Sequence, residues 1–315
     1  MATKLKRRLL SFCLALSVAA SLGMSAAAAE PSTEQDYLSL PHVGEIGPEI
    51  APSNTYKNVD LDSELLSATG PDEVSSILKD RYIEKISSMS ESELSEKIAA
   101  IENSASTRAN DNYVVSKTTV ILELCTNDGI GLTDIYTAYD TSEQASSLAA
   151  EKYNDGGGYQ DSYRHFIWNH MMADDMGKYD ARTIACNYEW QAVILADVED
   201  VYYDAVQEYI LMPGVSAATA VVLAYTDAME YAVELRDTHI ALCAGDFSYF
   251  QDVFEDAAVR DLWNNCYGRA YADEYSYSYD TAFSVANANG ELINSDSAVS
   301  YDNTYNVWDW DWYTP

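Results

Sequence analysis

The pattern of apolar and polar positions is helical along most of the chain. Apolar residues recur three and four positions apart between residues 71 and 288, as they do on the buried face of an amphipathic helix. Glycine and proline signals divide this stretch at 156–158, Gly177, 213–214 and 289–290. The predicted helices are 71–86, 91–101, 141–153, 160–176, 181–209, 215–244, 249–272 and 280–288.

Two segments depart from the helical pattern. Residues 113–124 are rich in β-branched side chains, which predicts a strand. Residues 292–293 form a short apolar pair after a glycine, which predicts a brief strand or an extended tail. We therefore expect a helical domain at 113–294 that contains a minor β element.

A helical hairpin is predicted before this domain. Pro71 opens its first helix, and Ser90 with Glu93 forms the capping box of its second. A polar linker follows, so the hairpin and linker together occupy 57–112. The expected fold class is mainly α, a helical domain preceded by a helical hairpin.

The N-terminus has the features of a secretory signal peptide at 1–29. Four basic residues precede a short apolar run at 9–22, and three alanines at 27–29 suit a signal peptidase. Cleavage is expected before Glu30, which predicts a secreted protein. Residues 30–56 are rich in proline, serine and acid, and we expect them to form a flexible leader.

The chain is strongly acidic. Its formal net charge is −33, and loss of the signal with its four basic and no acidic residues brings the charge to −37. Such a field repels phosphate backbones, which argues against nucleic-acid binding. It could attract cations, or it could simply be a solvated surface. No later apolar segment reaches membrane-spanning length, so no integral membrane segment is expected after processing.

An acidic aromatic tail at 295–315 ends the chain. Three tryptophans and three tyrosines alternate with aspartates from residue 301 onwards. These rings could stack on sugar rings, giving a contact with a glycan or the cell wall. Alternatively, they cover apolar surface of the domain without binding anything.

Four cysteines remain after signal removal, and their pairing is open. Their spacings match no zinc pattern, and an exported protein could form two disulfides. Buried free thiols are the alternative, because a domain of this size does not need cross-links. The four residues are Cys125, Cys186, Cys243 and Cys266.

The predicted helix at 160–176 carries the first constellation of chemically active side chains. Asp161, His165 and Asn169 are four residues apart and share one helical face, with Arg164 and Trp168 on either side. An imidazole beside a carboxylate can serve as a general base or as a metal ligand. A buried polar network between two helices would use the same residue types, and Asp161 could also be a helix N-cap.

A second constellation lies about one hundred residues later. Asp261, Asn265 and Gly268 or Arg269 share one helical face, and Asn264 adjoins it. Two asparagines and a glycine are poor helix formers, and the glycine alone costs about 1 kcal/mol relative to alanine. Gly268 would permit a close helix–helix approach across which the asparagines form hydrogen bonds. We therefore predict that this helix packs against 160–176.

These residues resemble an uncharacterised bacterial family of exported proteins. That family pairs a D-x-x-R-H-x-x-W-N helix with a D-L-x-N-N-x-x-G-R helix, as do 161–169 and 261–269 here. The resemblance covers about 155–295 and implies an α-helical domain with a shared polar centre. The family pattern has a His-Glu pair where this chain has Tyr188 and Glu189, and the loss of that histidine weakens any two-histidine metal site.

Two functional hypotheses follow. In the first, the protein is an exported hydrolase whose centre contains His165, Arg164, Asp161 and Glu189. His165 would act as general base, or would bind one divalent metal ion together with these carboxylates or Asp261. Arg164 or Arg269 would stabilise developing negative charge. In the second, the protein is a non-enzymatic secreted or cell-surface protein whose polar motif is a structural network.

Overall fold

The computed structural model describes residues 33–49, 59–105, 113–153 and 157–315; the predicted signal peptide lies outside the described residues. The described part is mainly helical, as predicted, with thirteen α-helices, one 3₁₀-helix at Asp296–Ala298 and no strand. The α-helices are α1 Glu34–Leu38, α2 Ser63–Ser67, α3 Pro71–Ser87, α4 Glu91–Ala105, α5 Lys117–Asn127, α6 Leu132–Lys152, α7 Gly158–Met176, α8 Lys178–Leu211, α9 Ala217–Gly245, α10 Phe247–Val253, α11 Asp256–Glu274, α12 Tyr279–Ala288 and α13 Tyr301–Asp309.

Several helix boundaries follow the predicted signals. Gly177 ends α7 with a φ of +87°, a conformation that glycine adopts without strain. Before α4, Ser90 and Glu93 form the predicted capping box, each side chain bonding the backbone N–H of the other. α6 is longer than predicted because it begins at Leu132, nine residues before the first predicted position.

The predicted strand at 113–124 is wrong, because most of this segment belongs to helix α5. The Ser116 hydroxyl accepts a hydrogen bond from the Thr119 N–H, and the Thr119 hydroxyl accepts one from the Ser116 N–H, forming a capping box. Val120 and Leu124 are four residues apart and fully buried on one helical face. The capping and burial therefore outweigh the β-propensity of the branched side chains.

The predicted hairpin at 57–112 does not form a unit of its own. α3 packs against α8 and α9, and α4 packs against α9. Val74 and Leu78 of α3 belong to the same hydrophobic cluster as Ile194 and Val198 of α8. α3 is therefore part of the main helical core, because its apolar face has a larger partner surface in α8 and α9.

Helix α8 contacts most of the other long helices. It packs against α3, α5 and α9, and also against α7 and α11. Trp190 and Ile194, both fully buried, lie near its middle. A second close pair, α7 with α11, lies beside α8 and carries both predicted motifs.

The C-terminal segment packs onto this helical core. The predicted strand at 292–293 is absent; instead, the Asn264 side-chain amide bonds both the backbone N–H and the carbonyl of residue 293. Within the aromatic tail at 295–315, Trp312 and Tyr313 are fully buried. The tail thus covers apolar surface of the domain, which was one of the two sequence-based alternatives.

Residues 39–49 also contact the domain, although composition predicted a flexible leader here. The Glu291 carboxylate accepts a hydrogen bond from the backbone N–H of Gly44 at 2.6 Å. It also lies 2.7 Å from His42 Nδ1. At the end of this segment, the Glu49 carboxylate accepts a hydrogen bond from Arg269 at 2.7 Å. These bonds anchor the segment to α11 and to the turn after α12.

The four cysteines of the domain are buried free thiols, which agrees with the second alternative for these residues. Each is at most about 1 % exposed. Within the described ranges, every helix is either too short or too polar to cross a lipid bilayer.

Candidate active site

Helices α7 and α11 approach each other closely at Gly268. A Cβ atom at this position would overlap the backbone carbonyl of Phe166 and would lie 3.1 Å from Asn169 Cβ. The missing side chain therefore sets the distance between the two helices. At this distance the polar residues of both motifs share one buried layer.

A chain of hydrogen bonds crosses this layer from Arg269 to His165. Arg269 Nη1 donates to Asn169 Oδ1 at 2.7 Å, and Asn169 Nδ2 donates to Asn265 Oδ1 at 2.6 Å. Asn265 Oδ1 also lies 3.2 Å from His165 Nδ1. A guanidinium can only donate, so the orientation of each amide follows from its neighbour. Asn265 must present oxygen to the ring, and His165 Nδ1 must carry a proton.

The opposite ring nitrogen, His165 Nε2, faces a charged group of side chains. Arg164 Nη2 lies 2.7 Å from Nε2 and 2.5 Å from Asp161 Oδ1. Asp261 Oδ2 lies 3.3 Å from Nε2, and Asp161 Oδ1 lies 3.9 Å from it. Arg260 ties these two carboxylates together, since its Nη2 binds both Asp161 and Asp261. In a neutral ring with a protonated Nδ1, the Nε2 lone pair is therefore directed into this group.

The electrostatics favour the neutral imidazole. Burial lowers the pKa of His165 below its ordinary value, although the Asp261 carboxylate acts in the opposite direction. Burial acts to raise the pKa of Asp161, but the interactions with His165, with Arg164 and with Arg260 outweigh it and lower that pKa. The ring is thus an unprotonated base next to an ionised carboxylate.

Glu189 on α8 completes the layer beside the imidazole. Its Oε1 lies 3.8 Å from His165 Nδ1, and its side chain is 7 % exposed. Burial, and next the Asp261 charge, raise the pKa of Glu189 well above its ordinary value, so its surroundings favour the protonated form. Glu189 Oε1 and Asn265 Nδ2 are buried without a hydrogen-bond partner among the described residues.

Three side chains of the centre have metal-ligand geometry. One ligand atom each from Asp161, His165 and Asp261 lies within 4.8 Å of the other two. An imidazole nitrogen with two carboxylate oxygens suits zinc and several other divalent ions. Arg164 Nη2, however, bonds both Asp161 and His165, so the guanidinium stands where such an ion would bind.

The structure brings together most of the predicted residues, but three have other roles. Trp168 donates its indole N–H to the Ala138 carbonyl, and Asn264 holds the segment after α12. Arg269 reaches His165 only through Asn169 and Asn265. Asp161 is not an N-cap, because Gly157 occupies that position of α7.

Sequence reasoning missed Arg260 and Glu49. Arg260 bonds Asp161, Asp261 and Asp296, and Glu49 pairs with Arg269. Arg260 directly precedes the second motif, so its position beside Asp261 was visible. Neither residue had a motif that specified its distant partner.

The centre is buried on one side and partly open on the other. His165 and Glu189 are buried, whereas the side chains of Arg164 and Asp161 remain 32 % and 25 % exposed. Access to Nε2 therefore runs past Arg164. A cavity of about 240 Å³ lies beside Glu49, and another of about 370 Å³ lies between residues 42–46, α11, the turn after α12 and α13.

Comparisons of the chain with protein-family models, curated proteins and solved structures gave no match.

Proposed function

We propose that the protein is an exported hydrolase in which His165 Nε2 is the general base. The observation that supports this proposal is the hydrogen-bond chain from Arg269, which favours a proton on Nδ1 and a lone pair on Nε2. In the described state Arg164 donates to that lone pair. A base held in one tautomer beside a carboxylate is the usual arrangement for activating water or a hydroxyl.

The proposed reaction moves one proton onto the ring and off again. As the oxygen of a water molecule bonds to the electrophilic carbon or phosphorus of the substrate, His165 Nε2 takes its proton. Asp261 Oδ2, 3.3 Å away, stabilises the imidazolium. The same proton then passes to the leaving group as its bond breaks, which restores the neutral ring.

Arg164 has two tasks in this proposal. In the described state its guanidinium covers Nε2, so it must turn outwards when a substrate enters. Its partial exposure allows that movement, and the released guanidinium can stabilise the negative charge that develops on the substrate. Arg260 neutralises the Asp161 carboxylate through a hydrogen bond. Glu189 is a positioning residue beside His165 Nδ1.

The alternative function is structural, and one observation favours it. The His165 side chain is only 1 % exposed, so the imidazole is closed to solvent in the described state. In that case the polar centre only stabilises the packing of α7 against α11, and the protein functions by binding a partner at its surface.

Matched histidine variants distinguish the two functions. His165→Gln and His239→Gln each remove a buried imidazole, but His239 pairs with the Tyr249 hydroxyl outside the centre. Both are assayed on chromogenic esters, phosphate esters and glycosides. The hydrolase proposal expects kcat to fall about 100-fold or more only in His165→Gln. Equal losses in both variants, or no turnover by the unmodified protein on this panel, contradict it.

A further inference from the structure

A cleft of about 370 Å³ lies on the surface between residues 42–46, α11, the turn after α12 and helix α13. Its volume falls at the lower end of the range of small-molecule sites, roughly 300–1,000 Å³. Three aromatic side chains, Trp263, Tyr267 and Trp310, line the cleft together with the amides of Asn289 and Asn306.

Packing contacts fix the positions of both indole rings of the cleft. Trp263 and Trp310 pack against the fully buried ring of Trp312, with ring centroids 5.3 and 5.0 Å apart. The Trp263 indole also donates to the Glu291 carbonyl at 2.8 Å. Anchored rings lose little conformational entropy when a ligand stacks on them.

Two polar groups of the cleft form no hydrogen bond with the described residues. The indoles of Trp308 and Trp312 donate to backbone carbonyls, whereas the Trp310 indole N–H and the Asn306 side-chain amide bond no described residue. A sugar ring offers what this combination requires, because its C–H face packs on aromatic rings while its hydroxyls both donate and accept hydrogen bonds.

The cleft lies on the other side of α11 from the polar centre. Trp263 and Tyr267 are four residues apart and share one helical face, while Asp261 and Asn265 share roughly the opposite face. The cleft is therefore independent of the proposed hydrolase centre. The strongly negative net charge of the chain, with Glu45 at the rim, disfavours acidic ligands.

From these observations we propose that this cleft binds one residue of an uncharged saccharide, a neutral hexose or an N-acetylated hexosamine. The ring stacks on Trp310 and Trp263, and its hydroxyls bond Asn306 and the Trp310 indole N–H. This site differs from the sequence-based idea of a glycan-binding tail, because most of the tail aromatics pack on the domain and Trp310 alone of its tryptophans lines the cleft.

Isothermal titration with maltotriose, cellotriose and chitotriose tests the proposal. At least one should bind, and Trp310→Ala should weaken that binding about tenfold or more, a loss of about 1.4 kcal/mol. Asn306→Ala should weaken it about threefold to tenfold by removing one or two hydrogen bonds. Because the Asn306 side chain bonds no described residue, this second variant keeps the fold and tests the site if Trp310→Ala unfolds.

Tyr301→Ala serves as the control, since Tyr301 is an exposed aromatic residue of the same helix that does not line the cleft. Its affinity should equal that of the unmodified protein. The proposal is overturned if none of the three sugars binds at about 10 mM. Binding that survives both Trp310→Ala and Asn306→Ala, or that is lost equally in Tyr301→Ala, also overturns it.

Discussion

Gly268 on α11 touches the backbone carbonyl of Phe166 on α7, and a side chain at position 268 would overlap the carbonyl oxygen. One helical turn further along α7, Asn169 meets Asn265 through a 2.6 Å hydrogen bond. The polar centre thus depends on a glycine that takes no part in its chemistry. Without this close contact, the hydrogen-bond chain to His165 would be broken.

Gly268→Ala should destabilise the protein by about 2 kcal/mol or more, because overpacking exceeds the gain of about 1 kcal/mol in helix propensity. Guanidinium unfolding curves measure the change. Gly245→Ala is the matched control, since a Cβ at this last position of α9 meets nothing within 4 Å. An alanine tolerated equally at both positions would contradict the packing argument.

The tautomer of His165 is the second prediction. Nitrogen chemical shifts from a sample with labelled histidine should show a proton on Nδ1 and a lone pair on Nε2. In Asn169→Leu the orientation of Asn265 is no longer set by Arg269, so the shifts should move towards a mixture of tautomers. His239 should not change in this variant. A neutral ring with its proton on Nε2 in the unmodified protein would show that the hydrogen-bond chain from Arg269 does not set the tautomer of His165.

The site could be predicted from local spacing where the partners were one helical turn apart. Asp161, His165 and Asn169 follow from helical periodicity, and Gly268 with Asn265 indicated a second helix against them. Contacts between distant positions were not predictable in the same way. Arg260 meets Asp161 across 99 residues, and Glu49 meets Arg269 across 220. Such pairs depend on the folded arrangement of several elements.

The fold was predicted least well where intrinsic propensity and capping disagreed. Between 113 and 124 the β-branched residues indicated a strand, yet Ser116 begins a helix and Leu124 is buried on its face. Branched side chains cost a helix only tenths of a kcal/mol each, whereas a cap and a buried apolar face contribute more. Weighting the Ser116 cap and the four-residue spacing would have given the correct element.

The third prediction concerns pH and Glu189. Its pKa is raised in the folded protein, so above the ordinary carboxyl value of 4.5 the native state holds a proton that the unfolded state has lost. Stability should therefore fall as pH rises, by up to about 1.4 kcal/mol per pH unit until the folded pKa is reached. Glu189→Gln keeps an uncharged side chain of the same shape and removes this titration. The free energy of unfolding in urea of this variant, relative to that of the unmodified protein, should therefore increase from pH 5 to pH 8.

Glu274→Gln, which removes an exposed carboxylate from the end of α11, controls for the loss of one acidic group. An advantage of Glu189→Gln that stays constant over this pH range would show that Glu189 is ionised in the native state.

The fourth prediction concerns a second buried polar group, formed by Asp128 and Arg236. Both side chains are fully buried, and two parallel hydrogen bonds of 2.7 and 2.9 Å join them. Arg236→Met leaves the buried Asp128 carboxylate, and also the neighbouring Asp237 carboxylate, without their cation and should cost about 3–5 kcal/mol. Asp128→Asn combined with Arg236→Met should recover much of this loss in chemical unfolding.

Lys178→Met serves as the comparison for that pair. Its ion pair with Asp273 is largely exposed, so its removal should change stability by no more than about 1 kcal/mol. Equal effects of Arg236→Met and Lys178→Met would contradict the difference in burial.

The last prediction tests whether Arg164 excludes a cation from the centre. Its Nη2 lies 2.7 Å from His165 Nε2 and 2.5 Å from Asp161 Oδ1, and these are two of the three side chains that could bind a metal ion. Arg164→Ala removes this guanidinium and one positive charge, so Zn²⁺ should bind at least about tenfold more tightly than to the unmodified protein in calorimetry. The gain should disappear when His165→Gln is added, because the imidazole ligand is then lost. Equal Zn²⁺ affinities of the unmodified protein and Arg164→Ala would mean that the arginine does not compete for this position.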